Sequence, residues 1–148
     1  MTTAQHPDPP GADGQESQNG ALSALSTEMV GLYKNQFGRG PTRVRSDWAG
    51  RDTIVVSLED TLTPAERNLV KLGEHQRLRD TRLFFQYATV AEFCEPVERL
   101  TGRKVRTFVS GIDTEVEGYS IELCIPRATR APRGSTPPCF RPDDGGDA

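Results

Sequence analysis

Two alternating runs, separated by four residues, constrain this chain more than any other feature. In TRVRSDW, residues 42–48, Val44, Ser46 and Trp48 fall on one side, and Arg43, Arg45 and Asp47 on the other. In TIVVSLE, residues 53–59, Ile54, Val56 and Leu58 again share a side. A strand places every second side chain on one face, so both runs read as strands. The link Ala49–Gly50–Arg51–Asp52 is short and contains a glycine, which predicts a β-hairpin. A hairpin with one apolar face must bury it against something else.

The flanking segments supply the cover. In DTLTPAERNLV, Thr63 can cap, Pro64 suits the first helical position and Glu66 stands three residues after the cap. This predicts a helical segment from 64 to about 100, with Gly73 and Pro96 as its weak points and Gly102 of LTG as its stop. Before the hairpin, ALSALSTEMVGLYKNQF carries Leu22, Leu25, Met29, Leu32, Tyr33 and Gln36 at helical spacing, and Gly38 or Gly40 can end that helix. After the second helical segment, RKVRTFVSGID predicts a strand with Val105, Thr107 and Val109 on its apolar face. A turn at Glu115–Gly118 leads into YSIELCI, where Tyr119, Ile121, Leu123 and Ile125 align. The order α-β-β-α-β-β, with one apolar face per strand, predicts an α+β two-layer sandwich: a mostly antiparallel four-stranded sheet with helices on one face.

The folded unit is expected to span residues 21–126. Residues 1–20 and 127–148 are rich in Pro, Gly and polar residues and are expected to stay unfolded. The chain's 148 residues suit one domain. A net charge of −3 gives no global attraction to nucleic acid or to anionic lipid, so nucleic acid is not the expected partner. No apolar run approaches the ~20 residues that span a bilayer, and the N-terminus lacks a secretory pattern, so a cytoplasmic protein is expected. Cys94, Cys124 and Cys139 are odd in number and without a CxxC pair, which fits a reducing compartment better than a disulfide or zinc framework.

QFGRGPTRVRSDW, residues 36–48, has the glycines of a phosphate loop in the wrong setting. A Walker loop follows a strand, precedes a helix and ends in Lys-Ser/Thr; here a helix precedes and a strand follows. A helix stop and turn is the expected role of Gly38–Pro41. Arg39, Arg43, Arg45, Arg103, Lys104 and Arg106 are the candidate partner- or anion-binding surface, with Phe108 expected beside them on the open face of the sheet and Glu122 partly cancelling their charge. No nucleophile–base pair, metal cluster or cofactor fingerprint stands out: Cys94 reads as a small core residue, and Asp113, Glu115 and Glu117 read as a soluble hairpin turn. No catalytic residue, metal or cofactor is expected.

GRGPTRVR, IVVSLEDTLTPAERNLV, the spaced arginines of residues 77–82 and VERLTGRKV, in that order, resemble the MpsC-like domain family over residues 21–126. The resemblance implies a soluble accessory protein of a bacterial Na+-translocating, membrane-potential-generating system, and it carries no known active site. Gly38, Gly40 and Pro41 match the family's turn; Thr63, Pro64 and Glu66 match its helix start; Arg82 matches its helical arginine; Thr101 and Gly102 match its junction. HQRLRDTRLFFQYATVAEFCEP departs from it in being unusually aromatic.

Three readings follow. The first is a non-enzymatic accessory or regulatory protein acting through protein contacts, with a membrane cation-transport subunit as partner and peripheral placement at the inner membrane face. The second is a nucleic-acid- or anion-binding module using the basic sheet face. The third is a small enzyme gathering His75, Glu74 or Asp113 in a cleft. A homodimer through residual apolar surface is compatible with each.

Overall fold

The computed structural model describes residues 12–128. Its first element, α1 (Ala12–Phe37), begins ahead of the expected boundary at residue 21, so Ala12–Gly20 are helical. The expected tails otherwise lie outside the described residues, apart from Arg127 and Ala128. Gly38, at φ 75°, ends α1 in the left-handed conformation that glycine enters without strain.

The hairpin forms as its alternation requires. Strand β1 (Arg43–Trp48) pairs antiparallel with β2 (Ile54–Glu59), with Val44 opposite Leu58 and Trp48 opposite Ile54. Ile54, Val56 and Leu58 are fully buried.

The expected helical segment is three helices: α2 (Pro64–Lys71), α3 (His75–Ala88) and α4 (Val90–Thr101). The capping box is complete. Thr63 Oγ1 accepts from the Glu66 N–H at 3.3 Å, and Glu66 Oε1 accepts from the Thr63 N–H at 2.9 Å. Gly73, at φ 74°, separates α2 from α3 as expected. Pro96 does not break the chain. It lies inside α4, buried with Phe93 and Val97, where packing offsets the lost hydrogen bond. The second break falls instead at Thr89, whose hydroxyl donates back to the Phe85 carbonyl at 2.9 Å. Gly102, at φ 68°, stops α4.

Strands β3 (Val105–Asp113) and β4 (Tyr119–Pro126) complete an all-antiparallel sheet in the order β1-β2-β4-β3. Both point differently from the sequence expectation. A bulge between Val105 and Thr107 inserts Arg106, so every later side chain of β3 changes face. Phe108, Ser110 and Ile112 therefore turn toward the helices, while Thr107 and Val109 face outward. Phe108 is thus not on the open face; it stacks on Phe93, with ring centroids 5.8 Å apart.

In β4 the apolar set is the outward one. Ser120, Glu122, Cys124 and Pro126 are buried beneath the helices, whereas Tyr119, Ile121, Leu123 and Ile125 line the open face. Register leaves no alternative, because Cys124, Glu122 and Ser120 lie opposite Ile54, Val56 and Leu58, the inner side chains of β2. Glu122 accordingly adds nothing to the open face.

The core joins Leu25, Met29 and Tyr33 of α1, the inner residues of β2, Phe93 and Val97 of α4, and Cys124. Cys94 is only half-buried, less enclosed than expected, because its neighbour Phe93 takes the inward position.

Candidate functional site: a buried polar network and the aromatic ridge above it

Helix α3 is turned the opposite way from an ordinary amphipathic helix. Its buried residues are Leu78, Arg82 and Gln86, one per turn at i, i+4 and i+8, so two of the three inward side chains are polar. Phe84, Phe85 and Tyr87 stand on the outside, 70%, 46% and 46% exposed. What makes this stable is a dense set of partners below.

Arg82 is 1% exposed. Its Nε and Nη2 donate to both oxygens of Glu66 at 2.7 and 2.8 Å, in the bidentate geometry that compensates a desolvated guanidinium. Nη2 also donates to the Thr61 carbonyl at 2.5 Å, and Nη1 to the Thr61 hydroxyl at 3.2 Å. The guanidinium carbon lies 3.9 Å from the centre of the Phe37 ring. Glu66 thus caps α2 and holds α3 with one carboxylate. Burial pushes that carboxyl up, but the Arg82 fork and the Thr63 N–H outweigh it and hold it below the ordinary value.

A second arginine approaches the same loop from the other side. Arg39, in the turn after α1, binds Asp60 Oδ2 at 2.6 Å and donates to the carbonyls of Asp60 and Leu62, each at 2.8 Å. The carbonyls of three successive residues, Asp60, Thr61 and Leu62, are therefore claimed by Arg39 and Arg82. This segment carries Asp60 at φ 53° and is crossed closely by Gly118, where an added Cβ would stand 2.5 Å from Leu62 Cγ. Arg39 of the Gly38–Pro41 turn, Glu66 of the helix start and Arg82 of α3 thus all bind at the loop Asp60–Thr63. Thr101 and Gly102 lie elsewhere, at the α4–β3 junction, where the Thr101 hydroxyl donates to the Val97 carbonyl at 2.6 Å.

Beneath α3 the network continues into the sheet. Glu122 Oε1 accepts from the Tyr33 hydroxyl at 2.5 Å and from Gln86 Nε2 at 2.6 Å, and the Ser110 hydroxyl donates to Gln86 Oε1 at 2.5 Å. Glu122 Oε2 is buried and has no partner among the described residues. Burial raises the Glu122 carboxyl to about 7, against the opposing effects of the Tyr33 hydrogen bond and the Arg82 charge. Burial and the neighbouring Glu122 charge likewise push the Tyr33 hydroxyl well above its usual value. Nothing local in the sequence marks Glu122, since its partners stand on α1 and α3.

The basic candidates are spread around the molecule. Arg43 and Arg45 lie on the open face of the edge strand β1, with Arg45 paired to Asp47 at 3.0 Å. Arg106 is exposed at the bulge on the opposite edge strand, with two strands between. Arg103 pairs with Asp52 at 2.6 Å near Trp48, and Lys104 with Glu98 at 3.1 Å. Among the described residues Arg43 and Arg106 carry no ion pair. Asp113 closes the β3–β4 turn by accepting from the Glu115 and Val116 N–H groups, at 2.9 and 3.3 Å. His75 is engaged with the Thr114 hydroxyl at 2.8 Å. No group of three His, Cys, Asp or Glu side chains among the described residues is placed to hold a metal, and no described helix is long and apolar enough to cross a membrane.

The fold and its clamp define a small α+β sandwich whose connecting loop is locked by the buried Arg82 and the half-buried Arg39, and whose α3 and β4 turn apolar side chains outward. The family model described as "Na+-translocating membrane potential-generating system (MpsC)" matches residues 18–125, and the chain belongs to that family. Comparison with curated proteins and with solved structures found no match.

Proposed function

We propose that the protein is a non-enzymatic accessory or regulatory component of a Na+-translocating membrane system, working through protein contacts from the cytoplasmic side of the membrane. The family's description supports the setting. The aromatic ridge of α3 is the observation that carries the mode of action. Phe84 and Phe85 project into solvent from a helix whose inward side is pinned by Arg82 and Gln86. Large aromatic side chains on a rigid element contribute contact area with little loss of conformational freedom, which suits them as anchors for a partner. The titratable groups support the same reading, because Glu66, Arg82, Arg39 and Asp60 are engaged in holding the fold.

The test is an affinity pull-down from detergent-solubilised membranes using the full chain. An integral cation-transport subunit should be enriched, and Phe84→Ala with Phe85→Ala should weaken its capture at least about tenfold. Enrichment of no membrane protein, or capture indifferent to both substitutions, would overturn the proposal.

A further inference from the structure

The outward side of β4 is the most apolar strip of the sheet, and no described element covers it. Reading across the strands, one row runs Asp47, Val55, Leu123, Val109, and the next runs Arg45, Ser57, Ile121, Gly111. Beyond them Arg43 lies opposite Glu59 on one side of the sheet, and Tyr119 opposite Asp113 on the other. The centre of the face is therefore Val55, Val109, Tyr119, Ile121, Leu123 and Ile125. Val109 and Ile121 are 43% and 38% exposed. The inversion of β4 makes this more than scattered surface hydrophobicity. A strand that turns Ser120 and Glu122 into its own core and four large apolar residues outward is patterned for a second layer on its outer side.

We infer that this face packs against the same face of a second copy of the chain. The charge at the two edges selects that occupant. Arg43 stands on edge strand β1 without an ion pair among the described residues, and Asp113 stands at the end of the opposite edge strand β3, exposed. A two-fold axis parallel to the strands, passing between β2 and β4, exchanges the edges. It lays β1 of one copy over β3 of the other and β2 over β4. Arg43 then meets the other copy's Asp113, and Val55 meets the other copy's Leu123, each contact occurring twice. Such self-complementarity is what an isologous interface requires, and two twisted sheets stack this way at ~10 Å with their strands nearly aligned. An anionic lipid surface fits worse, because the face carries acid as well as base and the chain's net charge is −3. The inference goes beyond the accessory role and does not depend on it: the partner ridge is on α3 and this face is on the other side of the sheet.

Sedimentation velocity on the full chain over a range of concentrations tests it. The wild type should sediment as a dimer. Leu123→Asp and, separately, Ile121→Asp should raise the dissociation constant by about 30-fold or more, as expected for a charge placed in the apolar centre of an interface. Ile121 is exposed in the single chain, so at concentrations low enough for both to be monomeric its variant should melt like the wild type, which separates loss of association from loss of folding. Arg43→Asp and Asp113→Arg should each weaken the dimer by roughly fivefold or more, and the double reversal should recover most of the affinity relative to Asp113→Arg, which shares with it the loss of the turn acceptor at Asp113. A monomer at every concentration overturns the inference. So does a dimer indifferent to both aspartate substitutions, or a double reversal no tighter than Asp113→Arg alone. Failure of the membrane pull-down would leave these outcomes unchanged.

Discussion

Arg82 shows how much one side chain can organise when it is both buried and charged. It connects α3 to the loop Asp60–Thr63 through Thr61, to the start of α2 through Glu66 and to the end of α1 through Phe37. Removing one member of such a pair leaves the other charge poorly compensated, which costs about 3–5 kcal/mol. Arg82→Ala should therefore lower the thermal midpoint by roughly 10 °C or more, measured by circular dichroism. Arg82→Lys should recover only part of the loss, because an ammonium cannot reproduce the two-pronged contact with Glu66. In the sequence Arg82 is one of several arginines on a charged helix, and only its family position marked it. The cap Thr63–Glu66 was legible because its partners are three residues apart. Arg82 and Glu66 are sixteen residues apart, and no spacing rule connects them.

At the scale of elements, alternation located every strand and gave the wrong face for two, β4 and β3 beyond its bulge. For β1 and β2 the apolar side is the inner side, so Val44, Trp48, Ile54, Val56 and Leu58 could be placed from spacing alone. In β3 a single extra residue at Arg106 reverses everything after it, and a bulge leaves no composition signal. In β4 hydrophobicity pointed to the wrong side, because the polar residues find buried partners on helices elsewhere in the chain. The three-helix break was half legible: glycine marks the first stop, whereas the second depends on a threonine hydroxyl turning back on its own helix. The β3–β4 hairpin gives the sharpest test at this scale. Gly118 has φ 70° and passes so close to Leu62 that a methyl group has no room. Gly118→Ala should destabilise the fold by about 2 kcal/mol or more through strain and steric displacement together, read from urea denaturation. Gly73, also at positive φ but with open space around it, should tolerate the same change with a smaller loss, about 1 kcal/mol.

For the whole molecule, the buried network predicts how stability follows pH. Glu122 has its folded value raised to about 7 from an ordinary 4.5, so the folded protein keeps a proton that the unfolded chain releases. Its contribution is complete below about pH 4.5 and declines as pH rises toward 7, by about 3 kcal/mol in all. Asp60 and Glu66 act in the opposite sense. Their folded values are lowered, so their contribution is present above the ordinary carboxylate range and is lost in acid. Urea unfolding between pH 5 and 8 should show the wild type weakening as pH rises, and Glu122→Gln should flatten that slope and be the more stable protein at pH 8. A slope unchanged in the Gln variant would place the titrating group elsewhere. The strand order carries one more consequence, for the birth of the protein. The two central strands, β2 and β4, are the partners furthest apart in the chain: Ile54 faces Cys124, and Leu58 faces Ser120. Their ladder must wait for a long loop to close, which makes it a slow event compared with either hairpin. During synthesis the first hairpin emerges with one side of β2 still unpaired, and it stays so until residues beyond Tyr119 leave the ribosome. A chain interrupted before that point would lack the middle of its sheet rather than an edge, leaving β2 open to the first strand it meets.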